Sequence, residues 1–157
     1  EVESFGEFAK RNNAVASTDV KSFEHLVCTE QLSRRLGFKV GEELIRVVRV
    51  RSLNGSARQV DHGYFLESIA KGLTPEIAAR SIYDYLEHKR GVKVMASRRT
   101  VSVELANDED CSYLDLGKYN CVAVMESQSY TSDGILFEVT HARTHPEIFH
   151  YRVNSKR

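Results

Sequence analysis

Apolar and polar residues alternate along most of this chain with the period of two that marks half-buried strands. Residues 43–53 (ELIRVVRVRSL) are the clearest case, a Val- and Ile-rich run that favours a pleated surface. Asn54-Gly55 follows as a strong hairpin turn, leading into a return strand over 57–66. Residues 17–28, 92–105, 119–131 and 135–144 read as further strands; Asp133-Gly134 makes a second hairpin, and a segment at roughly 148–153 finishes the sheet. The predicted helices are short. Ser4-Phe5-Gly6-Glu7 is a capping box opening a helix through about Arg11, with Phe5 and Phe8 as anchors. Thr29 caps EQLSRRLG, which ends at Gly37, and Ser81 caps IYDYLEHKR, closed by Gly91. A further short helix is expected over 107–115, while 67–80 reads as loop or short helical turns with Pro75 at a helix start. The pattern predicts an α/β domain of the α+β kind, a mostly antiparallel sheet flanked by helices.

Part of this order occurs twice. From Thr29 to Asn54-Gly55 the chain reads cap, short helix, turn, long strand, hairpin turn and return strand, and from Asn107 to Asp133-Gly134 it does so again at nearly the same spacing. Two such halves facing each other would form a cleft, whether they share an origin or converged.

The candidate chemistry lies in and after the first hairpin. Arg49 and Arg51 are two residues apart on a strand, so both point to one face, together with Ile45 and Val47. Taken singly, each arginine is simply a solvated strand residue or the partner of a nearby acid. Taken together, two planar guanidinium forks match a phosphate. A strict two-residue hairpin pairs Val48 with Asp61 and turns Asp61 away; one extra loop residue pairs Arg49 with Asp61 and gathers the charges. The second register is the one favoured here. Ser81 is a helix N-cap, with Asp84 completing the box, and an N-cap also offers amides to an anion. Ile82, Tyr85, Leu86 and Lys89 form the packed stripe of that helix, which leaves Tyr83 free to face a cleft.

Composition narrows the classes. At 157 residues, a single domain buries roughly two thirds of its unfolded surface. Equal numbers of basic and acidic residues, 22 each, argue against this segment gripping nucleic acid itself. EQLSRRLG has the look of half a helix-turn-helix, yet a strand follows where the reading helix should be. No apolar run approaches the ~18 residues of a membrane span. Three cysteines without CxxC spacing point to a reducing, cytoplasmic setting rather than a disulfide scaffold or zinc site. His141 and His145 are four apart but fall in strand and loop, so metal is not assigned, and no catalytic motif nominates a nucleophile and base. The chain opens at Glu1 without an initiator Met and is expected to be a piece of a longer protein.

The order of these pieces resembles the UTRA effector-sensing domain of GntR-family transcriptional regulators of the HutC subfamily. The matching segments are Ser4-Phe5, the block LGFKVGEELIRVVRVR at 36–51, Asp61 with Tyr64-Phe65, Ser81-Ile82-Tyr83 with Leu86, the Asp133-Gly134 hairpin, Phe137-Glu138, Arg143 and Phe149. Within that family, Asp61-His-Gly-Tyr-Phe65, Leu73-Thr-Pro-Glu-Ile77, Ser81-Ile-Tyr-Asp-Tyr85, Asp108-Glu-Asp110 with Leu114-Asp-Leu116, and Lys156-Arg157 look closest to repressors of trehalose operons.

The resemblance implies a chorismate lyase-like fold, a homodimer, no cofactor and no catalysis. It also implies an effector that is a phosphorylated sugar, with trehalose 6-phosphate the leading candidate. Ser4, Arg49, Arg51, Ser81 and Tyr83 match phosphate-binding positions, and Asp61 and Glu138 match acidic positions on the sugar. Asp61 stands where many relatives have Glu, and Thr144 lies near a position some fill with Tyr. A winged-helix DNA-binding domain would precede residues 1–3, the end of its linker, and residues 4–157 would be the effector and dimerisation domain. The rival expectations are a chorismate lyase-like enzyme and a domain that only dimerises.

Overall fold

The computed structural model describes residues 5–155. Strands β1 (Ala16–Val27), β2 (Glu43–Leu53), β3 (Ser56–Leu66), β4 (Val94–Leu105), β5 (Cys121–Thr131) and β6 (Leu136–Thr144) form one sheet in the order β1-β2-β3-β6-β5-β4. Every neighbouring pair is antiparallel. The order is palindromic. The two echoing units, β1 to β3 and β4 to β6, are three-stranded meanders that meet at β3 and β6, where His62 stands opposite His141.

Helices α1 (Phe5–Arg11), α2 (Glu30–Leu36), α3 (Pro75–Ala78), α4 (Ile82–Asp84) and α5 (Asp108–Tyr113) divide between the two faces. Thr29 caps α2 by accepting from the Leu32 amide, and Gly37 ends it at φ 95°, a value that favours glycine. A reciprocal Asn107–Asp110 box caps α5. On one face, α2 covers Leu44, Tyr64 and Val139, while Leu114 and Leu116 after α5 cover Val48, Val60, Val122 and Val124. Arg143 of β6 clamps α5 there: its Nε lies 2.9 and 3.0 Å from the two oxygens of the fully buried Asp110. On the other face, α3 and α4 bring Ala78 and Ile82 to Ile45, Val47 and Phe65, and Phe5 and Ala9 of α1 pack on Leu53. That second face carries Arg49, Arg51 and Asp61, so these three helices shape the site.

The favoured hairpin register is present, by a different device. Asn54-Gly55 is a strict two-residue turn with Leu53 opposite Ser56, and the extra residue is Arg58, bulged out of β3 between Ala57 and Gln59. Beyond the bulge Arg51 faces Gln59 and Arg49 faces Asp61. Two other expectations need correction. No strand forms over 148–153: Pro146 lacks an amide proton, and the chain turns into a 3-10 helix (Pro146–Ile148) capped by the His145 ring. The helix after Ser81 stays α-helical only through Asp84, then widens to a π-helix over Tyr85–Lys89, closed by the Arg90 amide on the Tyr85 carbonyl. The wider turn leaves Lys89 exposed instead of on the packed stripe.

Gly63 shows how tightly the second face is packed. A Cβ there would sit 2.7 Å from Cε2 of Phe65, whose ring is 2 % exposed. Gly63→Ala is expected to overpack this strand by about 1–3 kcal/mol and lower Tm by several degrees in a thermal melt. An unchanged Tm would mean that the Phe65 ring is free to move aside.

Candidate functional site

Five of the seven expected site residues line one cavity of about 130 Å³: Arg49, Arg51, Ser81, Tyr83 and Glu138. Asp61 sits behind it, and Ser4 lies outside the described residues. The cavity opens where α1 and the start of α4 meet the sheet, and Gly6, Phe65, Arg80 and Ile82 complete its wall.

Arg49 is buried at 8 % exposure and donates through Nη2 to Asp61, itself 5 % exposed, and through Nη1 to the Ala78 carbonyl at 3.3 Å. Its charge is therefore answered within the protein. Arg51 differs. Its guanidinium lies 4.6 Å over the Phe5 ring, and its buried Nε has no hydrogen-bond partner among the described residues. Burial first, and the Arg49 charge second, push its pKa down to about 10. An anion reaching the cavity would relieve both costs.

The far wall is acidic. Glu138 is 2 % exposed; Oε1 accepts from the Tyr83 hydroxyl at 3.2 Å, and Oε2 is buried without a partner among the described residues. Burial, and then the Asp61 charge, hold its pKa up to about 7. The Tyr83 ring is 39 % exposed while its hydroxyl points inward to Glu138 and, at 3.5 Å, to the buried Ser129. That hydroxyl keeps its proton well above the usual tyrosine range, through burial and then the neighbouring carboxylate. Ser81 caps α4 by accepting from the Asp84 amide at 3.2 Å.

Two arginines escaped the sequence reading. Arg80 lines the cavity one residue before the Ser81 cap. Arg99 of β4 faces Ser127 across the strands, and its charge is felt by both Tyr83 and Glu138. Local pattern marks neither, since Arg99 reaches the site only through the sheet order. His141 and His145 do not act together: His145 caps the 3-10 helix, and His141 lies on the opposite face beside Glu126.

The UTRA domain family matches residues 11–150. The chain is 28 % identical over 148 residues to the HTH-type transcriptional regulator TreR of Bacillus subtilis, covering 94 % of this chain and 62 % of TreR. It is 22 % identical over 141 residues to the HTH-type transcriptional repressor NagR of the same species, covering 90 % of this chain and 57 % of NagR. It thus spans about three fifths of the length of these curated relatives. The solved effector binding domain of the B. subtilis trehalose repressor superposes with a TM-score of 0.81 at 27 % identity, over 90 % of this chain and 98 % of that one. PhnF from Mycobacterium smegmatis shares the fold, with a TM-score of 0.87 at 17 % identity over 99 % of this chain and 69 % of that one. With the match running over most of its length and the six-stranded antiparallel sheet in common, this chain belongs to the UTRA domain family.

Proposed function

We propose that this chain is the effector-sensing and dimerisation domain of a bacterial transcriptional repressor of the GntR family, acting in the cytoplasm, and that its effector is a phosphorylated sugar. Trehalose 6-phosphate is the first candidate, since TreR is among the similar proteins. The observation that carries the reading is Arg51, a half-buried cation on a cavity wall; its buried Nε, like the buried Oε2 of Glu138 on the opposite side, has no hydrogen-bond partner among the described residues. A phosphate at one end and sugar hydroxyls at the other complement those two sides.

In this reading Arg49, Arg51, Ser81 and Tyr83 hold the phosphate, with Ser4 closing over it. Asp61 fixes Arg49 in place, and Glu138 meets the sugar. The cavity of about 130 Å³ is smaller than the roughly 300 Å³ at which small-molecule pockets begin, so α1 must shift outward to admit a sugar phosphate. The energies permit it. Charge-assisted hydrogen bonds contribute about 1.5–3 kcal/mol each, against about 0.5–2 kcal/mol for the stack of Arg51 on Phe5. Movement of α1 carries the signal to a winged-helix domain preceding residue 1, which supplies the DNA contact. The effector biases that domain only through its unequal affinity for the two arrangements.

A lyase-like reaction is the second reading, and Glu138 is the observation that favours it. A buried carboxyl with its pKa held up to about 7 beside a tyrosine has the properties of a general acid or base. Thermal shift across a panel of phosphorylated sugars, with product analysis of each, separates the readings. A shift without turnover supports the sensor, turnover supports the lyase, and no shift with any of them supports a domain that only dimerises.

Two variants probe the site. Arg51→Ala should weaken trehalose 6-phosphate binding at least ~10-fold by calorimetry, and an unchanged affinity removes Arg51 from the site. Glu138 keeps its proton in the folded chain to about pH 7, whereas the ordinary value is 4.5. Its contribution to stability is therefore full below pH 4.5 and falls as pH rises to 7, by at most about 1.4 kcal/mol per pH unit. Denaturant melts of Glu138→Gln should lose that slope relative to the parent chain; parallel pH profiles would count against a buried, proton-retaining carboxyl.

A further inference from the structure

The two edges of the sheet are built differently. β1 carries a bulge between Val20 and Ser22 and interleaves Asp19, Lys21, Glu24 and His25, the devices that keep an edge from pairing. β4 also carries charges, Arg98, Arg99 and Glu104, but no bulge interrupts most of its length. Its irregularity lies at the start, between Val94 and Ala96, and from Ala96 to Leu105 it is regular. All of its twelve residues are exposed except Arg99, which is half-buried. Val101, Val103 and Leu105, at 40 %, 73 % and 75 % exposure, share the face bearing Arg99, and α1, α3 and α4 cover that face only over the other half of the sheet.

We propose that the β4 edge is the dimer interface, pairing antiparallel with β4 of a second copy about a two-fold axis at Val101. The charge pattern selects this occupant. In that register Arg98 stands opposite Glu104 of the partner, Thr100 opposite Ser102, and Val101 opposite itself. The strand is thus complementary to its own reverse, as a two-fold contact requires. Glu104 is 51 % exposed and, although it holds Arg143, keeps one carboxylate oxygen for this pairing. A two-fold contact also closes at two copies, so neither retains a free β4 edge. The inference rests on the dimer reading above and adds to it a place. It also sets the interface beside the effector: Arg99, whose charge reaches Tyr83 and Glu138, would lie opposite Val103 of the partner.

Cross-linking tests it. Opposed residues in antiparallel strands have Cα atoms roughly 4.5–5.5 Å apart, within the span of a disulfide. With the exposed Cys111 replaced by Ser, Val101→Cys should oxidise to a covalent dimer on a non-reducing gel, and Lys21→Cys on the β1 edge should not. Arg98→Glu should weaken the dimer roughly 10-fold in sedimentation equilibrium, because both cross-strand pairs become like-charged. A chain that sediments as a dimer without the Val101→Cys cross-link overturns this surface and leaves the dimer reading intact. A chain that stays monomeric overturns both and gives the β4 edge to a strand of some other protein.

Discussion

A guanidinium and a carboxylate removed from water together, Arg49 with Asp61, are the constraint on which the site depends. Either charge alone would be stranded in the interior at a cost of about 3–5 kcal/mol. As a pair they let one arginine sit deep beneath the cavity floor, anchored also to the Ala78 carbonyl, and so tie β2, β3 and α3 to one another. Arg51, two residues on, stacks on Phe5, and its buried Nε has no hydrogen-bond partner among the described residues. The two arginines thus differ: the Arg49 charge is paired with a carboxylate, whereas the Arg51 guanidinium lines the cavity stacked on Phe5.

The palindromic sheet explains where the cavity lies. Two similar meanders join at β3 and β6, and among the described residues only one of them is roofed on the arginine face, by α1, α3 and α4. Tyr83 reaches from the edge of that roof across the seam to Ser129 and Glu138 in the other meander. The cavity therefore has a cationic wall from the first half and an acidic wall from the second.

Much of this was legible in the chain itself. The alternation through 43–66 and the Asn-Gly turn identify the hairpin, and clustering of charge selects the register that sets Asp61 against Arg49. The cap at Ser81 and the off-stripe position of Tyr83 are local, and local signals read well. What escaped depends on distant partners. Whether the extra residue belonged to the turn or to β3 is decided by bonds such as the His145 amide to the Arg58 carbonyl, across more than eighty residues. The segment 148–153 alternates like a strand, but Pro146 redirects the chain before it can pair. Arg99 looks like any edge-strand arginine until the strand order brings β4 beside β5.

The bulge at Arg58 has a consequence for how this hairpin tolerates length changes. Excising Arg58 would leave a regular ladder in which Gln59 still faces Arg51 and Asp61 still faces Arg49. The same loss one position later, at Gln59 or Val60, could be absorbed only by drawing the bulged residue into the ladder. The hairpin thus holds one residue in reserve: a single deletion near the turn heals, whereas a second would invert every side chain beyond it and carry the carboxylate to the opposite face of the sheet.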